Sequence, residues 1–160
     1  MTIDILDGDM FASGADSLVC PVNCIGAMGA GLAVPFAERY KFLCGSYRDY
    51  CDVGNLHPGE VLALGPSSRD PSNPRIYFAA TKGHWRNPSK FEWITSIQRH
   101  LIRHAIAGSA TWKSIAIPAI GVGHGGLPWD DVRPVLVEAA ERIERAGVKV
   151  FLYGPKETRR

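Results

Sequence analysis

The stretch that decides the fold reads Ser114-Ile115-Ala116-Ile117-Pro118-Ala119-Ile120-Gly121-Val122-Gly123-His124-Gly125-Gly126. Its first part is a short apolar run suited to a strand over 114–118, and its second is a glycine-rich loop. An apolar run without polar alternation fits a strand covered on both faces. The same arrangement occurs upstream, where Ser17-Leu18-Val19-Cys20-Pro21-Val22 precedes Gly26-Ala27-Met28-Gly29-Ala30-Gly31. In open α/β sheets, ligands bind beyond the carboxyl ends of strands. Glycine there lets backbone N–H groups approach and face an anion, and a following helix N-terminus adds positive potential. Either loop alone is equally well read as a tight turn. Two loops in equivalent positions favour a grip on one ligand from both sides, as a pyrophosphate with flanking sugars would require.

Working outward, strands are expected over 2–6, 17–22, 60–64, 75–80, 114–118 and 148–153, with helices over 32–40, 47–53, 89–107 and 130–146. The helix over 89–107 has the clearest pattern. Ser89 and Glu92 spell a capping box after Pro88, and Phe91, Ile94, Ile97, Leu101 and Ala105 recur at three- and four-residue steps. In the helix over 130–146, Pro134 is expected in the first turn, where its missing N–H does no harm, and Gly147 supplies the stop. Strands that follow helices imply a mixed, largely parallel sheet of about six strands with helices on both faces, a three-layer α/β/α architecture. The segment 65–74 reads as an exposed turn or hairpin end.

Composition bounds the rest. The chain has 160 residues, 46% of them hydrophobic, and a net charge of +2. One folded domain over 1–154 with a frayed tail over 155–160 fits that length. The near-neutral charge excludes a strongly basic nucleic-acid wrapper but permits a local basic patch. No apolar run approaches the roughly 20 residues that span a bilayer. Met1-Thr2-Ile3-Asp4 lacks the basic and apolar regions of a secretory signal, so the expected location is the cytoplasm and no membrane partner is expected. Cys20, Cys24, Cys44 and Cys51 form no CxxC pair and match no zinc spacing, so neither metal, cofactor nor disulfide is expected.

The glycine loops exclude the two common nucleotide folds. Gly121, Gly123 and Gly126 satisfy G-x-G-x-x-G, but only 34 residues follow, too few for the rest of a dinucleotide-binding unit. No G-x-x-x-x-G-K-[ST] occurs. Three other features carry chemistry. Asp9, near the end of the first strand, is a turn former or N-cap on general grounds, and its carboxylate can also accept from an exocyclic amine such as that of adenine. Asn23 ends the second strand, within reach of a ribose hydroxyl. The segment Thr81-Lys82-Gly83-His84-Trp85-Arg86-Asn87-Pro88 follows the strand over 75–80. It is either a solvated loop or a site in which a desolvated lysine, beside other cations, becomes a nucleophile or base. Trp85 then offers a stacking face and Arg86 a phosphate partner, unless Trp85 merely packs beneath the long helix.

Together, Gly8-Asp9, the segment from Pro21 to Gly31, Thr81-Lys82-Gly83-His84-Trp85-Arg86 and the segment from Ser114 to Trp129 resemble a macrodomain, in the branch of the terminal ADP-ribose protein glycohydrolases and DarG antitoxins. The resemblance runs from Asp4 to about Tyr153. It implies a cleft for ADP-ribose in which Asp9 holds the adenine amine and Asn23 the distal ribose. Gly29, Ala30, Gly31 and Leu32 would wrap that ribose and the diphosphate, with Gly121, Val122, Gly123, Gly125 and Gly126 as the second diphosphate nest. Lys82 corresponds to the lysine this branch directs at the anomeric carbon, with His84 and Trp85 beside it. Two departures stand out. Gly125 replaces the loop aspartate of the protein-directed members, and Ala30 replaces a second lysine of the antitoxin-like ones. Proton transfer then falls to His124, to His84 or to the substrate. The implied activity is removal of ADP-ribose from acidic protein side chains or DNA bases by a monomeric enzyme. A non-catalytic reader and an ADP-ribose 1″-phosphate phosphatase are the alternatives.

Overall fold

The strand over Ser17–Val22 (β2) is the centre of the molecule, and its alternation shows why. Leu18, Cys20 and Val22 are buried against one helical layer, whereas Val19 is buried against the other. The structure, a computed structural model, describes residues 2–66 and 72–156. Around β2 stand β1 (Ile5–Leu6), β3 (Val61–Leu64), β4 (Arg75–Ala80), β5 (Ser114–Ile117) and β6 (Lys149–Tyr153). The sheet order is β1-β6-β5-β2-β4-β3, parallel throughout except for the antiparallel β3–β4 pair. That pair is the expected hairpin, and part of its turn (67–71) lies outside the described residues, as does 157–160 of the expected tail.

The helices α1 (Ala33–Arg39) and α2 (Lys41–Asp52) cover one face, packing Phe36, Leu43 and Tyr47 on Ile76, Phe78 and Ala80 of β4. The other face carries α3 (Phe91–Ala107) and α4 (Trp129–Arg145), whose Ile97, Leu101, Leu136 and Ala140 meet Val19, Tyr77, Ile115 and Val150. The expected three-layer, six-strand α/β/α arrangement is therefore the one observed.

Several local expectations are corrected. β1 pairs only through Ile5 and Leu6 with Leu152 and Tyr153, because it is an edge strand with solvent beyond it. α2 starts at Lys41, six residues before the sequence pattern suggested. Its stripe of Leu43, Cys44, Tyr47 and Cys51 is interrupted by Gly45, which hid the helical period. No capping box forms: the N-cap of α3 is Lys90, without a side-chain cap bond, and Ser89 lies one residue before that N-cap. Phe91, placed on the apolar stripe by its spacing, is exposed. Pro134 is the sixth residue of α4, not in its first turn. Its missing N–H leaves the carbonyl of exposed Asp130 to solvent. The helix does end as expected, with Gly147 at φ +90° donating to the Glu144 carbonyl.

The ladders show where the sheet opens. β2 stays paired with β4 as far as Val22↔Ala80, but its pairing with β5 stops at Leu18↔Ala116. Pro21 has no N–H to offer a ladder, and Pro118 stands where β5 ends. Beyond Leu18 the two central strands part, and that split sets the floor of the site.

Candidate functional site

The parted ends of β2 and β5 open into a cleft of about 850 Å³, with Pro21, Val22, Pro118 and Ala119 among its lining residues. Its volume is in the range of pockets that hold a drug- or nucleotide-sized ligand. Both glycine loops line it, through Gly29, Ala30, Gly31 and Leu32 from the first and Gly121, Val122, His124 and Gly125 from the second. Lys82, Trp85 and Arg86 complete the wall. Asp9, His84, Gly123 and Gly126 are not among the lining residues.

The first loop is organised by Asn23. The side chain Oδ1 accepts from the N–H groups of Ile25 (3.1 Å) and Ala27 (3.2 Å), and Nδ2 donates to the Ala27 carbonyl (2.9 Å). The residue expected to meet a ribose is thus first the brace of its own loop, with one Nδ2 proton remaining for a ligand. Beneath it, the buried Tyr47 hydroxyl donates to the Asn23 carbonyl at 2.6 Å. Sequence reasoning gave Tyr47 no role, because a tyrosine starting a helical pattern looks like any core residue. Its loss has a clear expected effect. Tyr47→Phe removes the hydroxyl and leaves a buried carbonyl short of its donor, costing about 1–3 kcal/mol of unfolding free energy. Denaturant titration of the variant against wild type measures this.

The second loop is seated on α3. A Cβ at Gly121 would lie 2.7 Å from Ile94 Cδ1, and one at Gly125 would lie 2.7 Å from Ser89 Oγ. Residues Gly123–Gly125 form a single 3-10 turn, and Gly126 (φ +78°) follows in the left-handed conformation. This loop does not lead directly into a long helix: Gly126, Leu127 and Pro128 intervene before α4. The positive potential there comes from the loop's own amides and not from the N-terminus of α4. The two loops meet across the cleft, with the His124 Cδ2 atom 3.2 Å from the position of a Cβ on Gly31.

Lys82 follows Thr81, whose N–H donates to the Val22 carbonyl, so the lysine stem starts at the sheet's split edge. The loop after it is tied to the first glycine loop by the Cys24 N–H donating to the Gly83 carbonyl at 2.9 Å. The Lys82 Nζ donates to the Trp85 carbonyl at 3.3 Å. Partial burial lowers its pKa from the ordinary lysine value. Of the two influences the sequence suggested, desolvation is the cause, and the neighbouring cations do not contribute. Trp85 does not pack under α3: it is 49% exposed, with the Arg86 guanidinium 4.9 Å from its ring centre and His84 stacked at 5.4 Å. The Nδ1 atom of His84 accepts from the Arg86 N–H, which shapes the turn that carries Trp85.

Asp9 takes the general role first. Its Oδ1 caps the 3-10 turn Met10–Ala12 by accepting from the Phe11 N–H at 2.9 Å. The four cysteines are unpaired. Burial pushes the Cys24 thiol up to about 12 and Cys44 to about 11, so neither is a nucleophile near neutrality. No group of three or more potential ligands among the described residues could hold a metal ion, and none of their helices is long and apolar enough to cross a membrane.

A three-layer α/β/α fold whose sheet splits between two glycine loops, with a lysine at the split, defines a class of module with a cleft suited to an anionic, nucleotide-sized ligand. The Macro domain family matches residues 19–136, and the chain belongs to that family. It is 35% identical over 148 residues to a DNA ADP-ribosyl glycohydrolase of Mycobacterium tuberculosis, covering 92% of this chain and 41% of that protein. Among solved structures, the macrodomain of Mycobacterium tuberculosis DarG superposes with a TM-score of 0.85 at 34% identity, covering 97% of this chain and 99% of that one. Thermosipho africanus DarTG in complex with ADP-ribose gives 0.82 at 31% identity, covering 96% and 41%. The chain spans about two-fifths of the length of the curated relatives it matches first.

Proposed function

We propose that this macrodomain is a hydrolase that releases ADP-ribose from a modified DNA base. The observation that carries the reading is the presence of a partly desolvated lysine, Lys82, in the same cleft as both glycine loops. The loops would clasp the diphosphate, Gly29 to Leu32 from one side and Gly121 to Gly126 from the other. Asn23 would offer its remaining Nδ2 proton to the distal ribose, and Asp9 its second carboxylate oxygen to the adenine amine. Held at both ends, the ligand presents its anomeric carbon to Lys82 with the advantage of proximity and orientation.

In the reaction, neutral Lys82 Nζ forms a bond to the anomeric carbon as the carbon–base bond breaks and the base leaves with the electron pair. His124 carries the proton shed by Nζ to the departing base. Water then attacks the same carbon, the carbon–Nζ bond breaks, and a proton from the water passes through the imidazole to Nζ, which regenerates the lysine amine and frees ADP-ribose. No carboxylate is available from residue 125, so the imidazole of His124 or His84 takes the acid–base role. The exposed Trp85, with Arg86 over its ring, suits a base and its backbone at the cleft mouth and favours DNA over a glutamyl ester. The chain's likeness to a DNA ADP-ribosyl glycohydrolase supports the same substrate. The domain is proposed to act as a monomer, without metal or cofactor, in a cytoplasm that keeps its thiols reduced.

The test offers purified protein both ADP-ribosylated single-stranded DNA and glutamate-ADP-ribosylated protein. ADP-ribose release from the DNA at the higher rate is the expected result. Preferential release from the protein reverses the substrate assignment. Tight binding of ADP-ribose with no release from either identifies a reader, the alternative that Gly125 favours, and phosphate release from ADP-ribose 1″-phosphate identifies a phosphatase.

A further inference from the structure

Ser89 is the residue that neither the fold nor the proposed chemistry explains. Its sequence context promised a capping box, but α3 begins beyond it and the hydroxyl caps nothing. The residue is 5% exposed, and its Oγ is buried with no hydrogen-bond partner among the described residues. Leaving a hydroxyl buried and unpaired destabilises a fold, and alanine at the same place would not carry that penalty. The neighbour of this hydroxyl is the second glycine loop. Ser89 N–H donates to the Gly125 carbonyl at 2.9 Å, and Oγ lies 2.7 Å from where a Cβ on Gly125 would stand. Gly125 is not in the left-handed region, so its backbone conformation is open to other residues; the contact with Ser89 is what excludes a side chain. On the other side of Gly125 is the cleft.

We infer that Ser89 is a positioning residue for the diphosphate, acting through Gly125. In the free protein its N–H turns the Gly125 carbonyl out of the cleft, where an oxygen would repel an anion, while its hydroxyl remains unspent. When the diphosphate engages the loop amides from the cleft, the Gly125 peptide turns by a small angle without leaving Ser89, and Oγ engages its backbone from behind and locks the loop. A polar group idle in the free state is thereby satisfied in the bound one, and the gain appears as ligand affinity. The same contact accounts for the absence of an acid at position 125, since an aspartate there would have to displace Ser89. This inference rests on the reading of the cleft as an ADP-ribose site.

The experiment is calorimetry and thermal unfolding of wild type, Ser89→Ala and Ser89→Cys, with ADP-ribose and with AMP, which lacks the second phosphate and distal ribose. Wild-type binding of ADP-ribose is the control: its failure sinks the ligand assignment itself. Given that binding, Ser89→Ala is expected to unfold at the same or a higher temperature than wild type when free. It should bind ADP-ribose about five- to tenfold more weakly, bind AMP unchanged, and show a smaller thermal shift. Ser89→Cys, slightly larger and only a weak donor, should fall between the two. A merely structural serine would instead lower the free protein's unfolding temperature and leave the ADP-ribose to AMP ratio alone. Equal ADP-ribose affinity in wild type and Ser89→Ala, or an equal loss for AMP, overturns the inference.

Discussion

Lys82→Ala is expected to lose at least about 100-fold in the release of ADP-ribose from modified DNA, the scale on which removal of a directly participating group is felt. ADP-ribose affinity should change far less, by about tenfold at most, because the loops and Asn23 remain. The contrast follows from the proposed geometry: the lysine stem leaves the split edge of the sheet, while the anion would be held by backbone amides. Lys82→Arg separates two roles for the amine. Guanidinium keeps the charge but cannot deprotonate, so it retains turnover only if the lysine merely polarises the leaving group. The pH profile adds a further check. Desolvation lowers the Lys82 pKa below the ordinary 10.5, and in the proposed reaction the attacking form is the neutral amine. Turnover should therefore rise with pH through an inflection below 10.5 and level off above it. A wild-type rate in Lys82→Ala would remove the residue from the mechanism.

Gly121→Ala should produce the largest loss of stability among conservative changes at the site. The residue has φ +77°, and an added Cβ would meet Ile94 Cδ1 at 2.7 Å and Leu127 Cδ1 at 3.1 Å. Left-handed backbone and overpacking together amount to about 2–4 kcal/mol. That corresponds to a fall of roughly 5–15 °C in Tm for a chain of this size. Gly123→Ala is the internal control, since it shares a positive φ of +70° but has nothing within 4 Å of its added Cβ. It should be affected only through its backbone, by about 1–2 kcal/mol. If thermal unfolding ranks the two equally, the seating of the loop on α3 is wrong. Because that seat also aims the loop amides, ADP-ribose affinity should fall in Gly121→Ala, and calorimetry reads it.

Much of this molecule is legible in its sequence. Strands over 17–22 and 75–80 read correctly to the residue, because an apolar run flanked by glycine, proline or asparagine has few other fates in a chain this short. The two glycine loops and Lys82 were recognisable as parts of one site from their positions after strands. What misled was local pattern without tertiary context. Ser89 and Glu92 have the spacing of a cap, but tertiary packing set the Ser89 N–H on Gly125 and started the helix at Phe91. Asn23 was only half legible: it does line the cleft, but its carboxamide also braces residues 25 and 27, which no pattern along the chain announces. The prolines at 21 and 118 were a missed signal, since two strand-end residues unable to donate to a ladder mark where neighbouring strands part.

By itself the sequence determined the layer architecture, the order of the elements and which loops could face an anion, since these follow from hydrophobic period and from the backbone freedom of glycine. Only the tertiary structure decided which amides and side chains meet: the parting of β2 from β5 beyond Leu18, the seating of Gly121 on Ile94 and of Gly125 on Ser89, and the idle hydroxyl behind the second loop. Period and propensity act within a few residues along the chain. The contacts that build the cleft join residues tens of positions apart, and their geometry is set by close packing, which no local pattern records.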